Sequence, residues 1–184
     1  MNRTDVVVPI APGFEETEAV AILDVLRRAG LSVVAAGLTE GVTTGSHGIA
    51  IRTDRLIDEL VDADVRAVVL PGGMPGAEHL RTDPRVQRLL RNAARRGAVT
   101  AAVCAAPMAL AQAGLLEGRK ATAYPGFEGR LGGATRSEAR VVVDGTVITG
   151  RGPGAAVEFA LAVAAALTDP ATAERIGAEM LVLR

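Results

Sequence analysis

The sequence contains one cysteine, Cys104, which follows the apolar run Val99–Val103 and precedes a helix-forming segment. A thiol where a strand turns into a helix lies near unpaired backbone N–H groups, whose partial positive charge favours the reactive thiolate. Free cysteine is also among the most buried residue types, so this position alone is compatible with a structural role. A lone cysteine can form neither an intrachain disulfide nor a cysteine-based zinc cluster.

Three carboxylates, Glu15, Glu16 and Glu18, lie in the first turn of a helix predicted over residues 15–29. Negative charge at a helix start is favourable for purely structural reasons. Glu18 shares a helical face with apolar Ile22 and should point inward, but Glu15 is nearly as well aligned, so helical geometry does not separate them. A buried carboxyl group beside a thiolate would keep its proton and could donate a hydrogen bond to sulfur. Such a group could serve as a general acid or base.

A glycine-rich loop at residues 71–76 ends another apolar strand, predicted over residues 66–70. Proline and glycine occur in the turns of any fold, but beside a nucleophile the amides of Gly72 and Gly73 could form an oxyanion hole. The carboxyl ends of parallel strands lie at one edge of the sheet, where open α/β folds bind ligands. The acidic turn, the glycine loop and Cys104 are therefore predicted to meet there as an acyl-transfer or carbonyl-addition site.

Short apolar runs alternate with segments of helical period, which predicts an α/β fold with a mostly parallel central sheet and helices on both faces. A small β-hairpin at 42–51 should lie outside this sheet, and Asp144-Gly145 should turn a second hairpin. We expect one domain over residues 1–184. The other predicted strands are Val6–Ile10, 31–38, 120–123, 141–143 and 147–149, and the other predicted helices are 56–60, Pro84–Arg95, 105–113 and an Ala-rich helix opened by residues 152–154.

Composition excludes several classes of function. Lys plus Arg is 20 against 21 for Asp plus Glu, and the net charge of -1 gives no electrostatic footprint for nucleic acid. Aromatic residues, at 2%, provide no platform for base stacking. The apolar runs are too short for a signal peptide or a membrane span, so we expect a cytoplasmic protein without membrane partners. Neither a metal-ligand cluster nor a dinucleotide fingerprint is visible, which predicts no metal and no cofactor.

Five segments together resemble the ThiJ/PfpI superfamily, a class I glutamine amidotransferase-like domain, and within it the Parkinsonism-associated deglycase branch, sometimes written DJ-one. The resemblance runs nearly end to end. It implies a flavodoxin-like three-layer sandwich, a homodimer, and a reactive Cys104 hydrogen-bonded to Glu18, with the Gly73 and Ala105 amides nearby. It therefore selects Glu18 over Glu15. The matching segments are GFEETE at 13–18, VVLPGG at 68–73, VCAAP at 103–107, RGPG at 151–154 and EFA at 158–160.

One departure from this family affects the predicted chemistry: Tyr124 stands where the deglycase branch has histidine. A phenol is a poor base at neutral pH, so proton transfer would fall mainly on Glu18. The protease-like branch has histidine directly after the cysteine, where this chain has Ala105, which argues against a protease or glutaminase dyad.

His79 is expected at the surface, and His47 lies in the predicted hairpin, where the family often has an arginine that reaches the partner's site. Residues that could line the pocket are Glu15, His47, Tyr124, Arg151 and Pro153.

The resemblance implies a cofactor-independent enzyme that acts on a small carbonyl substrate, methylglyoxal or glyoxal. Cys104 would add to the aldehyde to give a hemithioacetal, and Glu18 would move a proton between adjacent carbons to give a hydroxy acid. One alternative is a redox-sensing or chaperone-like protein in which Cys104 is oxidised to sulfinate. A second alternative is a hydratase or hydrolase of another small electrophile.

Overall fold

A computed structural model of the protein describes residues 4–182. Within them the strands are β1 (Val6–Ile10), β2 (Val33–Gly37), β3 (Val42–Thr44), β4 (Ala50–Arg52), β5 (Arg55–Leu56), β6 (Ala67–Leu70), β7 (Val99–Val103), β8 (Lys120–Ala121), β9 (Thr135–Arg136), β10 (Val141–Asp144) and β11 (Val147–Gly150). The helices are α1 (Glu16–Arg28), α2 (Gly76–Thr82), α3 (Pro84–Arg95), α4 (Pro107–Gln112), α5 (Ala156–Leu167) and α6 (Pro170–Glu179), with short 3-10 helices at Ile57–Glu59, Glu128–Arg130 and Pro153–Ala155.

The central sheet of the described chain joins seven strands in the order β10-β11-β7-β6-β1-β2-β5. Its strands run parallel except β10, which pairs antiparallel with β11. Strands β1, β6 and β7 are buried along their whole length, as parallel strands are when helices cover both faces. The predicted mostly parallel sheet is confirmed.

Each face of the sheet carries its own apolar core. On one face Leu80 of α2, Leu89 of α3 and Leu110 of α4 are buried against the sheet. On the other face Ile22 of α1 packs in a cluster with Phe159 of α5. Helix α1 has the apolar spacing of a helix that covers a sheet, so the residues that fix its position also fix the direction in which Glu18 points.

Both predicted hairpins are present. Strands β3 and β4 pair antiparallel outside the central sheet, as expected. In the second hairpin Asp144 pairs with Val147, so the turn residues are Gly145 and Thr146 and not Asp144-Gly145 as predicted. Gly145 has a φ of 60°, a left-handed conformation that glycine adopts without a steric penalty.

Other elements differ from the predictions. The predicted helix at 56–60 is the 3-10 turn Ile57–Glu59, and the preceding Arg55–Leu56 adds a strand to the sheet edge beside β2. The predicted strand 120–123 ends at Ala121, because the Thr122 N–H donates to the side chain of Thr149. The remaining strand, β8, pairs with β9. Helix α6 was not predicted; Asp169 caps its first turn by accepting a hydrogen bond from the backbone of Thr172.

The parallel strands deliver their following loops to one edge of the sheet. Strand β1 leads to the acidic turn, β6 to the glycine loop, β7 to Cys104 and β11 to the segment that begins at Arg151. This edge is where ligands of open α/β sheets bind. Among the described residues, no helix is both long and apolar enough to cross a membrane.

Candidate active site

Cys104 occupies a strained turn between β7 and α4. Its φ of 63° lies in the left-handed region, which is costly for a residue with a side chain and persists only where the surroundings enforce it. Two hydrogen bonds enforce it: the Cys104 N–H donates to the Gly150 carbonyl at 3.0 Å, and the Tyr124 N–H donates to the Cys104 carbonyl at 2.9 Å. The thiol is largely buried, with 8% of the residue exposed.

Glu18 faces this thiol from α1 and is completely buried, which confirms that it points inward. The Gly72 N–H donates to its Oε2 at 2.7 Å. The other carboxyl oxygen, Oε1, is buried without a hydrogen-bond partner at normal geometry within residues 4–182. Burial raises the pKa of Glu18 to about 7, and the nearby Glu15 adds to this rise, while the hydrogen bond from Gly72 opposes it.

The thiol and the carboxyl group titrate as a pair. Burial, followed by the charge of Glu18, raises the pKa of Cys104 to about 12, while the N–H groups of Gly73 and Ala105 at the sulfur lower it. The expectation that helix-start amides would leave Cys104 as a thiolate is therefore wrong while Glu18 is ionised. Ionisation of the thiol therefore depends on the protonation state of Glu18.

The two glycines of the loop have different tasks. The Gly72 N–H donates to Glu18, whereas the N–H groups of Gly73 and Ala105 are directed at the sulfur. Gly72 was expected to take part in the oxyanion hole, and its N–H is not available for it. A Cβ on Gly72 would lie 2.6 Å from the Cβ of Cys104 and 2.8 Å from Oε2 of Glu18. A Cβ on Gly73, where φ is 85°, would lie 2.3 Å from the backbone nitrogen of Glu15. Only glycine allows the three segments to approach this closely.

Glu15 and Glu16 have structural partners. Glu15 caps α1, since its Oε2 accepts a hydrogen bond from the Glu18 N–H at 2.6 Å. Glu16 is buried, which raises its pKa, but hydrogen bonds from the ring and backbone of His47 and from the Ile49 N–H lower the pKa to about 2. The ring of His47 is 70% exposed, and the Glu16 carboxylate raises its pKa. In this chain His47 therefore anchors the hairpin to α1.

The same residues form a group of possible metal ligands that the sequence did not reveal. Ligand atoms of Glu15, Glu16 and His47 all lie within 4.8 Å of one another. The sequence does not reveal this group, because His47 lies about thirty residues after Glu15 and Glu16 and the hairpin contacts α1 only in the folded protein. The Glu15 and Glu16 carboxylates already accept hydrogen bonds from the protein, so nothing in this arrangement requires a cation.

Tyr124, Arg151 and Pro153, predicted as pocket residues, line one cavity of about 210 Å³. Arg140 also lines it and was missed. The register of the β10-β11 hairpin could have predicted it, because Arg140 and Arg151 lie opposite each other just beyond the paired strands, where the Arg151 N–H donates to the Arg140 carbonyl. His79 does not reach this cavity; its Nδ1 lies 3.1 Å from the Pro12 carbonyl at the surface.

A cysteine in a strained strand-to-helix turn, beside a buried glutamate at the carboxyl edge of a parallel sheet, defines a flavodoxin-like protein with a candidate thiol-dependent site. The model of the DJ-1/PfpI family matches residues 4–166. The chain belongs to this family, which includes cysteine-dependent enzymes and whose DJ-1 proteins are commonly homodimers.

Individual relatives support this assignment. Protein dj-1beta of Drosophila melanogaster is 37% identical over 99% of this chain and 98% of its own length. Protein DJ-1 homolog A of Arabidopsis thaliana is 39% identical over 96% of this chain, and the chain spans only 46% of that protein. It spans 36% of the plant homolog B. The structure of Toxoplasma gondii DJ-1, described as oxidized, superposes with a TM-score of 0.94 at 38% identity, covering 98% of this chain and 100% of that one.

The raised pKa of Glu18 predicts a pH-dependent stability. Between about pH 4.5 and 7 the folded protein keeps a proton on Glu18 that the unfolded chain has released, so the free energy of unfolding falls as pH rises. We expect wild type to lose about 3 kcal/mol relative to Glu18→Gln across this window. Urea unfolding of both proteins at a series of pH values measures the difference. Glu174→Gln on exposed α6 should follow wild type, and parallel curves for wild type and Glu18→Gln would contradict the buried, protonated carboxyl group.

The close approach at Gly72 predicts that Gly72→Ala damages the site. Its methyl group would overlap Cys104 and Glu18, and overpacking of this kind costs about 1–3 kcal/mol. Thermal unfolding should show the loss of stability, and the rate of Cys104 alkylation should change with it. Gly129→Ala is the matched control, because a Cβ there meets nothing within 4 Å. Equal stability and equal alkylation rates in the two variants would refute the packing argument.

Proposed function

We propose that the protein is a cofactor-independent glyoxalase or deglycase-type enzyme, which converts 2-oxoaldehydes such as methylglyoxal and glyoxal into hydroxy acids. One observation carries this proposal: a fully buried carboxyl group with a pKa near 7 faces the only thiol of the chain. A general acid or base works best when its pKa lies near the working pH, because it can then both accept and release a proton. Family membership supports a stress-related function of the DJ-1 type.

The first step is addition of Cys104 to the aldehyde. As sulfur bonds to the aldehyde carbon, the Glu18 carboxylate accepts the thiol proton, and the electrons of the C=O bond pass to oxygen. The Gly73 and Ala105 N–H groups, which already point at the sulfur, are available to this oxyanion. Glu18 then returns the proton to the oxygen, which leaves a neutral hemithioacetal and an ionised carboxylate.

The second step moves hydrogen from one carbon to its neighbour. Glu18 removes the hydrogen of the former aldehyde carbon as a proton, and the resulting enediol is reprotonated at the former ketone carbon, while a hydroxyl proton passes between the two oxygens. The product is a thioester on Cys104, and water cleaves it to the hydroxy acid and the free thiol. The aldehyde carbon is oxidised and the ketone carbon is reduced by the same electrons, so the reaction requires no outside oxidant.

Tyr124 fits this assignment of roles. Its backbone is hydrogen-bonded to Cys104, and 45% of the residue is exposed. A phenol hydroxyl there can donate a hydrogen bond to a substrate oxygen. We assign the proton transfers to Glu18, because its carboxyl group is the one that faces the thiol.

Turnover of methylglyoxal tests the proposal. Purified wild type should form lactate, with kcat/KM rising as Glu18 ionises through about pH 7. Cys104→Ala should reduce lactate formation to the uncatalysed rate, and Glu18→Gln should lower it about 10² to 10⁴-fold. Glu174→Gln is the control, because that residue is exposed on α6 and lies outside the site. If wild type is no faster than an unrelated thiol protein, the enzymatic proposal fails.

A second candidate function is oxidation sensing, which the structural similarity to an oxidized Toxoplasma gondii DJ-1 favours. Peroxide would oxidise Cys104 in two steps to sulfinate, each step transferring one oxygen atom and releasing water. A protonated Glu18 and the Gly73 and Ala105 amides would hold the sulfinate oxygens. Mass spectrometry after peroxide treatment should show two added oxygen atoms on Cys104 in wild type. Sulfinate formation without lactate turnover would favour sensing over catalysis.

We also propose that the protein forms a homodimer, through the exposed side of α1 and the β3-β4 hairpin. Val20 on α1 is 50% exposed and Ile49 in the hairpin is 59% exposed. The two elements share a surface, since the Ser46 N–H donates to the Phe14 carbonyl just before α1. Exposed apolar residues grouped on one face are typical of subunit interfaces.

Val20→Asp should therefore weaken the dimer. Sedimentation equilibrium should show wild type at twice the monomer mass and the variant shifted toward the monomer at equal concentration. Val143→Asp, on the exposed edge strand β10, is the control and should remain dimeric. A wild-type protein that sediments as a monomer would refute the dimer, and a dimer insensitive to Val20→Asp would place the interface elsewhere.

A further inference from the structure

The cavity beside Cys104 has a distinctive charge. Of the residues that line it, the two that carry charge are both arginines, Arg140 and Arg151. The rest of the lining is contributed by Tyr124 and by proline, glycine and alanine residues. A concave site with cationic side chains and a phenol hydroxyl suits an anionic group.

Two segments that form the walls of the cavity are hydrogen-bonded to the backbone of Cys104. On one side the Tyr124 N–H donates to the Cys104 carbonyl at 2.9 Å, and on the other the Cys104 N–H donates to the carbonyl of Gly150, the residue before Arg151. Tyr124 and the residue before Arg151 are therefore hydrogen-bonded to the backbone of Cys104, so the cavity lies next to the turn that carries the thiol. A molecule that reacts with Cys104 can extend from this turn toward the cavity.

The cavity is small and its walls are closely packed. Its volume of about 210 Å³ corresponds to about seven water molecules in the liquid. A Cβ on Gly152 would lie 3.0 Å from Cδ2 of Tyr124, so the ring packs tightly on the backbone there. Such a space is large enough for a carboxylate or phosphate group with a short carbon chain.

The arginines retain hydrogen-bonding capacity. Arg140 pairs with Glu158 at 2.7 Å and also donates to the Gly154 carbonyl, while Arg151 donates to the Glu138 carbonyl. A guanidinium group carries five N–H donors, so these contacts leave donors for a ligand. Backbone hydrogen bonds, and to a lesser extent the charge of Arg151, lower the pKa of Glu128 nearby. The side-chain hydrogen bond that Arg151 donates goes to a neutral carbonyl, that of Glu138.

From this geometry we propose that the cavity formed by Tyr124, Arg140 and Arg151 is an anion subsite, and that the preferred substrates are 2-oxoaldehydes with a carboxylate or phosphate group. The part that concerns substrates rests on the proposed function, whereas attraction of anions to the cavity does not. Arg151 is a specificity-determining residue that contacts the anionic group of the substrate. Arg140, which is already paired with Glu158, supports it.

Alkylation of Cys104 tests the subsite without any turnover. Iodoacetate is anionic and iodoacetamide is neutral, and both react with the same thiol, so the ratio of their rates reports the local attraction for anions. Arg151→Gln should lower this ratio about tenfold, the effect of one charge-assisted hydrogen bond. Arg151→Lys, which keeps the charge, should retain most of the wild-type ratio, and Arg175→Gln on distant α6 should retain all of it. Circular dichroism verifies that each variant is folded. An unchanged ratio in folded Arg151→Gln would overturn the subsite.

Turnover then identifies the anion. We expect kcat/KM to be higher for a carboxylate-bearing or a phosphate-bearing 2-oxoaldehyde than for methylglyoxal, and the better of the two defines the substrate class. Arg151→Gln should lower kcat/KM for the anionic substrate about tenfold more than it lowers kcat/KM for methylglyoxal. Turnover of methylglyoxal with no preference for anions would overturn the proposal while the proposed function stands. A shifted alkylation ratio without any turnover would support the subsite while the proposed function fails.

Discussion

The hydrogen bond from the Gly72 N–H to Glu18 Oε2 is the contact on which the candidate site depends. A carboxyl group with no exposure is unfavourable unless its oxygens are paired, and this bond pairs only one of them. The other oxygen is buried without a partner at normal geometry within residues 4–182, and the Cys104 thiol lies beside the carboxyl group. The burial that raises both pKa values also makes each group dependent on the protonation state of the other.

The loops around this contact are held together by their backbones. The Glu15 N–H donates to the Gly72 carbonyl, and the Gly76 N–H donates to the Gly13 carbonyl, so the acidic turn and the glycine loop are bonded at two points. The hairpin adds a third support, since the Gly13 N–H donates to the Thr44 carbonyl. Backbone contacts of this kind need residues without side chains at the crossing, which explains why glycines occur in both loops.

Local patterns predicted the parts of the site that depend on local geometry. The period of α1 pointed Glu18 inward, and the change from β7 to helix located Cys104 at a turn. What they could not predict depends on contacts between distant segments. Glu16 is hydrogen-bonded to a hairpin about thirty residues away, and the Gly72 N–H donates to Glu18. Arg140 lines the cavity because the hairpin places it opposite Arg151. The thiol pKa was predicted wrongly for the same reason, because desolvation and the Glu18 charge outweigh the two amides.

The resting position of the negative charge connects the two proposals. With a pKa of about 7 for Glu18 and about 12 for Cys104, the charge of the pair resides on the carboxylate above neutral pH. In the proposed reaction the Glu18 carboxylate takes the thiol proton as sulfur adds to the electrophile. A substrate with its own negative charge would be repelled by this carboxylate in a site of low dielectric constant. Arg151, on the cavity wall beside Cys104, compensates that repulsion.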